Sequence, residues 1–226
     1  MTDPAFYILS LGLGLGSFVT NVEGRSYMGF LAPGLAVATA MFTAFFETSY
    51  GFFVRLTYER IFDAMLATPI GVSEVIWGEF IWVMLKGAAM ATGVALFLAC
   101  MGLMPHWESL PGVLLVGGLV ALPCGAIGLL AAAWASNMNQ FQTVYSFLIA
   151  PLFFFSGLFF PLAQMPAAVR VVAYFFPLAH GVRLAQSLFW NQEVVSTFLV
   201  HGSALVAQSI LLCAWAFWAT RKKLVS

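Results

Sequence analysis

The sequence predicts an all-α membrane protein with six transmembrane helices. Hydrophobic residues make up 62% of the 226 residues and charged residues only 8%, whereas soluble proteins carry about 25% charged residues. So few charges cannot form a water-facing surface, so lipid has to cover most of the chain. The few charged residues also fall mostly between long apolar stretches, and a helix needs about 20 apolar residues to cross a bilayer.

The predicted spans divide a single domain, residues 1–226, into alternating apolar stretches and short connections. The first is short, and the N-terminus before it has no Lys or Arg, so it does not fit a cleaved signal peptide and is predicted to be a retained span. The spans are residues 5–19, 27–54, 75–103, 112–135, 141–162 and 194–219.

Basic residues between the spans predict the orientation in the membrane. Lys and Arg favour the cytoplasmic side, and placing the N-terminus there also places the C-terminus there. The inner side then holds Arg55, Arg60, Arg221, Lys222 and Lys223, and the outer side holds Arg25, Arg170 and Arg183. We therefore expect a multi-pass protein of a bacterial inner membrane.

Residues 163–190 are too apolar for a free loop and too short for two spans. Pro166 and Pro177 break helices, and the stretch AAVRVVAYFF lies between them. We interpret the segment as two re-entrant helices in or on the outer leaflet. The alternative is a partly structured loop outside the membrane.

Residues 55–70 form the most informative polar segment. A helix there places Leu56, Ile61, Met65 and Leu66 on one side and Glu59, Arg60 and Asp63 on another. Pro69 would end this helix, because the residue before a proline, here Thr68, disfavours the α-helical backbone conformation. Such an amphipathic helix either lies on the membrane or docks into a groove of a soluble partner, and periodicity does not decide between them.

Several site types find no support in the sequence. GLGLGS at residues 12–17 is not followed by the Lys-Ser/Thr of a phosphate-binding loop, so any ATPase must be a partner subunit. Ser156 and His180 are the only weak hint of an intramembrane hydrolase. The three Cys and three His residues are scattered, which predicts no metal site, and no basic run predicts nucleic-acid binding.

Glu47 and Lys86 each lie inside an apolar run, where charged side chains are costly and usually paired. Glu47 is about 10 Å and Lys86 about 12 Å from the inner ends of neighbouring antiparallel spans, so we hypothesise an ion pair. The alternative is that Glu47 joins a polar cluster with nearby hydroxyl residues, while Lys86 extends to the headgroups. With Phe155, Phe159 and Phe160, which could contact substrate or simply face lipid, they are our candidate substrate path.

The chain resembles the type-2 ABC permeases, and within them the nodulation-factor (lipo-oligosaccharide) and drug exporter branch. The most specific stretches are YERIFDAMLATPI at residues 58–70 and FFFSGLFFPLAQMP at residues 153–166. DPAFYILSLGLGLG at 3–16, YMGFLAPGLAVATAM at 27–41 and PLAHGVRLAQ at 177–186 also match. The resemblance extends over nearly the whole chain.

The resemblance implies a dimeric six-span export permease that binds two ABC ATPase subunits, with ATP and Mg held by the ATPase and no cofactor bound by this chain. It implies that the helix at 58–68 is the coupling helix gripped by the ATPase, with candidate residues Arg55, Tyr58, Glu59, Arg60, Asp63, Leu66, Thr68 and Pro69. The re-entrant pair would include Ser156, Gly157, Pro161, Pro166, Pro177, His180 and Arg183.

The family usually also has an amphipathic interface helix before the first span. We expect that helix either to be encoded upstream of Met1 or to be absent. The alternative to a permease is an intramembrane enzyme or a non-transporting membrane scaffold. A partner subunit with a phosphate-binding loop would favour the permease.

Overall fold

The described part of the protein is helical. The computed structural model describes residues 21–225, together with Ser10, Gly14, Gly16, Phe18 and Val19. The predicted first span at 5–19 therefore lies almost wholly outside the described residues. Within them no strand forms, and β-type pairing is limited to an isolated bridge between Val22 and Arg25.

The described helices are numbered here in chain order. They are α1 Tyr27–Thr57, α2 Ile61–Leu66, α3 Val72–Cys100, α4 Trp107–Trp134, α5 at residues 139–154, α6 Ala167–Tyr174, α7 Pro177–Trp190 and α8 Val194–Leu224.

Four of these helices, α1, α3, α4 and α8, are long and apolar enough to cross a membrane. The count becomes five if α6 and α7, which meet at a bend of 90°, form one broken span. The helix α5 ends at Phe154 rather than at the predicted Leu162. An all-helical membrane protein is therefore confirmed, while the count of six spans and the re-entrant arrangement stay predictions.

The predicted helix at 58–68 is interrupted, which corrects the sequence interpretation. The amides of Tyr58 and Glu59 both donate to the carbonyl of Val54, at 2.9 and 3.1 Å, and this closes the last turn of α1. Arg60 then adopts the left-handed conformation, with φ of 51°, as residues that follow a helix end often do. The helix is broken there, and only Ile61–Leu66 forms α2.

The helices α1, α3 and α4 pack closely because glycines line their contacts. A Cβ on Gly117 of α4 would lie 2.7 Å from the Cβ of Ala91 and 3.2 Å from the Cα of Ala88, both on α3. A Cβ on Gly128 would lie 2.8 Å from the carbonyl oxygen of Phe45 on α1. In lipid, where helix association gains little from the hydrophobic effect, small residues permit the close contact that holds helices together.

A π-helical turn, Glu47–Gly51, interrupts α1 at this contact. The Thr48 hydroxyl lies 2.8 Å from the carbonyls of both Ala44 and Gly125, so it links α1 to α4. Thr48 is fully buried. The buried side of the interruption, at Thr48 and Ser49, therefore lies where α1 contacts α4.

Gly117→Ala tests this packing. We expect it to lower stability by about 1–3 kcal/mol, because an added methyl group in a tight contact forces the neighbours apart. Thermal unfolding of the purified protein in detergent measures the effect. The control is Gly78→Ala on α3, where a Cβ meets nothing within 4 Å, and equal effects of the two changes would contradict the packing.

Candidate coupling site and intramembrane charge pairs

Helix α2 is anchored by one aromatic residue. Phe62 is 2% exposed, and its ring centre lies 4.7 Å from that of Phe52 on α1. The guanidinium carbon of Arg55 lies 5.7 Å from the same ring. The sequence interpretation assigned the apolar side of this helix to Ile61, Met65 and neighbouring Leu residues and missed Phe62. Met65 is in fact 41% exposed.

The other predicted coupling residues lie around this anchor. Tyr58, Glu59, Arg60 and Asp63 are exposed, and Leu66 is half-buried. Thr68 and Pro69 are also exposed, and the Thr68 hydroxyl donates to the carbonyl of Met65 at 2.6 Å. The segment thus offers charges of both signs, with Asp63 on the short helix α2 and Glu59 and Arg60 in the turn before it.

A bidentate ion pair joins α1 to α3 directly behind α2. The two terminal nitrogens of Arg55 donate to the two carboxylate oxygens of Glu79, at 2.7 and 2.8 Å. Only 8% of the Glu79 side chain and 25% of the Arg55 side chain are exposed. The sequence analysis missed this pair, although an acid inside the apolar run VIWGEFIWV was a usable signal.

A second ion pair joins the same two helices farther along them from α2. Lys86 Nζ lies 2.5 Å from Glu47 Oε2, and the indole of Trp82 donates to Oε1 at 3.1 Å. The hypothesised pair is therefore confirmed. The alternative polar cluster does not form around Glu47, since the hydroxyls of Thr48 and Ser49 donate to backbone carbonyls instead.

Aromatic side chains lead from Glu47 towards the end of α5. Phe46 and Phe42 on α1 are 6.5 Å apart, Phe42 and Phe153 are 5.0 Å apart, and Phe153 and Phe159 are 5.0 Å apart, all between ring centres. Of the candidate substrate-path residues, Phe159 is buried in this row. Phe155 and Phe160 are 51% and 58% exposed, so the structure does not gather the five candidates into one pocket.

The predicted re-entrant residues occupy the turn after α5 and the two helices that follow. Ser156 and Pro161 are buried, and Gly157 has a φ of 86°, which favours glycine. Pro166 precedes α6 and Pro177 begins α7. Arg183 is exposed on α7.

The structure does not pair Ser156 with His180. The Ser156 hydroxyl donates to the carbonyl of Phe153 at 2.8 Å. The two ring nitrogens of His180 contact His201 at 2.9 Å and the Tyr174 carbonyl at 2.8 Å. The contact between His180 and His201 was not foreseen, because nothing in the sequence relates two His residues on separate helices.

Comparison with known proteins identifies the family. The family model described as ABC-2 type transporter matches residues 2–190. The chain belongs to this family. Membership makes it a transport membrane subunit, confirms the resemblance to type-2 ABC permeases, and implies an ABC ATPase partner in general.

Curated relatives of this ABC-2 family member cover most of its length. "Nodulation protein J" of Rhizobium leguminosarum bv. viciae is 34% identical over 89% of this chain and 78% of its own. "Nodulation protein J" of Rhizobium meliloti is 31% identical over 93% and 80%. "Inner membrane transport permease YadH" of Escherichia coli is 24% identical over 93% and 82%. No solved structure matches the chain significantly.

Glu79→Gln in this ABC-2 transporter chain tests the pair behind α2. We expect the single change to destabilise by about 3–5 kcal/mol, because it leaves the Arg55 charge without a partner in a poorly solvated site. Three variants, Glu79→Gln, Arg55→Gln and the double change, measure the coupling. For each, the melting temperature and the amount of protein in the membrane fraction are compared with those of the unsubstituted chain.

The double change should be less harmful than the sum of the single changes. The Glu47 and Lys86 pair provides a comparison, with the same three variants. There too each single change should be more harmful than the double change, since both charges lie inside apolar helices where an unpaired charge is costly. Strict additivity at Arg55 and Glu79 would show that the two charges act independently.

Proposed function

We propose that this chain is the membrane-spanning permease of an ATP-driven exporter, with α2 as the surface that a separate ATPase subunit grips. The observation that carries the proposal is the position of α2. It is a short helix with exposed charges on it and in the turn before it, connected at both ends to long membrane helices and fixed by Phe62 and the Arg55–Glu79 pair.

A gripping surface needs both exposure and rigidity. Glu59, Arg60 and Asp63 present charges of both signs to solvent, and charges at the rim of an interface determine partner choice and association rate. The residues behind them are buried and paired, so a push on α2 is transmitted to α1 and α3. A helix that merely lay on the lipid would not need this anchor.

The proposed assembly contains two copies of this permease and two ATPase subunits in a bacterial inner membrane, with both termini and α2 on the cytoplasmic side. The ATPase subunits hold ATP and Mg. Lys222 and Lys223 near the end of α8 support this orientation, because Lys and Arg favour the cytoplasmic side.

The proposed substrate is amphipathic or lipid-linked, such as a lipo-oligosaccharide, a polysaccharide or a drug. Relatives named nodulation protein J and the resemblance of the sequence to lipo-oligosaccharide exporters support this class. The aromatic row from Phe46 to Phe159 and the exposed Phe155 and Phe160 would suit its apolar part.

Reversing two charges tests the coupling role. Arg60→Glu combined with Asp63→Lys keeps the net charge but places each sign against the wrong partner group. We expect loss of most ATPase co-purification and of ATP-dependent export in membrane vesicles, with unchanged insertion, because like charges then face each other across the interface.

Glu108→Lys is the matched control. Glu108 is exposed at the beginning of α4, at the end of the bundle opposite to α2, so co-purification should be retained. If the doubly reversed variant still recovered normal amounts of ATPase and exported normally, the assignment of α2 would be wrong.

A further inference from the structure

A small basic pocket of about 340 Å³ lies between the ends of α4 and α8. Its lining residues are Ala133, Trp134, Trp218, Ala219, Lys222 and Lys223. The ring of Phe217 on α8 lies 5.9 Å from that of Trp77, near the beginning of α3. The pocket is therefore at the end of the bundle where α2 also lies.

The charge of this basic pocket is positive. None of the described residues that line it carries a carboxylate, and Lys222 forms no ion pair with any residue that the structure describes. The ammonium of Lys222 lies 5.8 Å from the ring centre of Trp218, a contact that favours its position at the wall. The carbonyl ends of α4 and α8 each contribute roughly half a negative charge, which the run Arg221, Lys222 and Lys223 outweighs. The pocket thus favours an anion over a cation.

An apolar groove of about 480 Å³ continues from the basic pocket along the bundle. Trp134 lines both cavities, so they meet at its indole. The groove runs between α4, α5 and α8, and apart from Thr143 and two indoles its lining side chains are hydrocarbon. On α4 it extends from Trp134 back to Ile127, roughly 10 Å of helix. A basic pocket that opens into an apolar groove matches the polarity of a phospholipid.

The depth of the two cavities in the membrane also fits a phospholipid. Trp134 ends α4 and Trp218 lies near the end of α8, and tryptophans at helix ends lie at the membrane–water interface. The basic pocket is then at headgroup depth and the apolar groove is in the hydrocarbon. Only 17% of the most apolar stretch of α8 is buried, compared with 72% in α4, so α8 leaves a face for such a ligand.

We propose that the basic pocket and the apolar groove together bind an anionic phospholipid of the membrane, with its phosphate at Lys222 and Lys223 and one acyl chain in the groove. Basic pockets between membrane helices bind anionic headgroups. A zwitterionic lipid would bring its ammonium beside two lysines, and a soluble phosphate would leave the groove empty. The lipid is a resident ligand, so the proposal goes beyond the proposed function and does not depend on it.

Native mass spectrometry of the purified full chain tests the proposal. The chain in detergent is titrated with palmitoyl-oleoyl phosphatidylglycerol or with phosphatidylcholine of the same acyl chains, and the Kd of the first bound lipid is measured. We expect the Kd for phosphatidylglycerol to be at least about tenfold lower, because each basic residue near the surface contributes about fivefold to the attraction of anionic lipid.

Lys222→Gln tests the basic pocket. We expect it to raise the Kd for phosphatidylglycerol about fivefold, and Lys222→Arg should retain the original value. The matched control is Arg221→Gln, which removes the same charge from the same turn at an exposed residue that does not line the pocket. Its effect should stay below about twofold, because solvent and salt screen a charge that does not contact the lipid.

Thr143→Phe tests the apolar groove. Thr143 is exposed on α5 and lines the groove, so the added ring occupies the position of the acyl chain without disturbing the core. We expect a Kd about threefold higher or more, since close packing rather than exclusion from water holds an acyl chain within a membrane. Gln142→Phe, the exposed neighbour that does not line the groove, should leave the Kd unchanged.

Four results would overturn the proposal. They are equal binding of the two lipids, equal effects of Lys222→Gln and Arg221→Gln, an unchanged lipid Kd in Thr143→Phe, and displacement of phosphatidylglycerol by an equal concentration of glycerophosphate. The last would indicate a site for soluble phosphate. An unchanged lipid Kd together with an altered ratio of monomer to dimer in Thr143→Phe would show that a second copy of the chain covers the groove instead.

Discussion

The ion pair between Arg55 and Glu79 is the contact on which the presentation of α2 depends. Both groups lie among apolar side chains, where an unpaired charge would cost several kcal/mol. Their two parallel hydrogen bonds satisfy each other and fix the last turn of α1 against α3. Arg55 also lies over the ring of Phe62. The same side chain therefore joins α1 to α3 and positions α2 at the end of α1.

The second pair and the glycine contacts extend this connection into the bundle. Lys86 and Glu47 join α1 and α3 again, and Gly117 and Gly128 bring α4 close to both. These three helices should therefore move as a unit, since packed helices with paired charges have few alternative arrangements. We expect movement of α2 to reach the opposite end of α1 without a separate transmitting element.

The sequence predicted the helical class and the Glu47–Lys86 pair, because hydropathy and depth from a helix end follow from spacing alone. It could not predict the break at Arg60, which depends on how the last turn of α1 closes rather than on helix propensity. It missed Phe62 as the anchor, because the predicted face assumed one unbroken helix. The contact between His180 and His201 depends on how α7 packs against α8, which no local pattern records.

The early end of α5 at Phe154 has a similar cause. The run from Phe141 to Leu162 is mostly apolar, so hydropathy alone extends the helix. The structure turns at Gly157, which has a φ of 86°, and residues 155–161 fold back so that Phe159 packs on Phe153. Apolar composition thus predicted burial of this stretch correctly in part but not its shape.

The most direct measurement is photo-crosslinking from α2 in native membranes that contain the ATPase. A photoreactive amino acid replaces Met65, which is exposed on α2, and, in a parallel sample, Met101, which is exposed just beyond the far end of α3. The account predicts an ATP-binding subunit crosslinked at position 65 and not at position 101. Crosslinking only to lipid at position 65, or equal ATPase crosslinking at both positions, would contradict it.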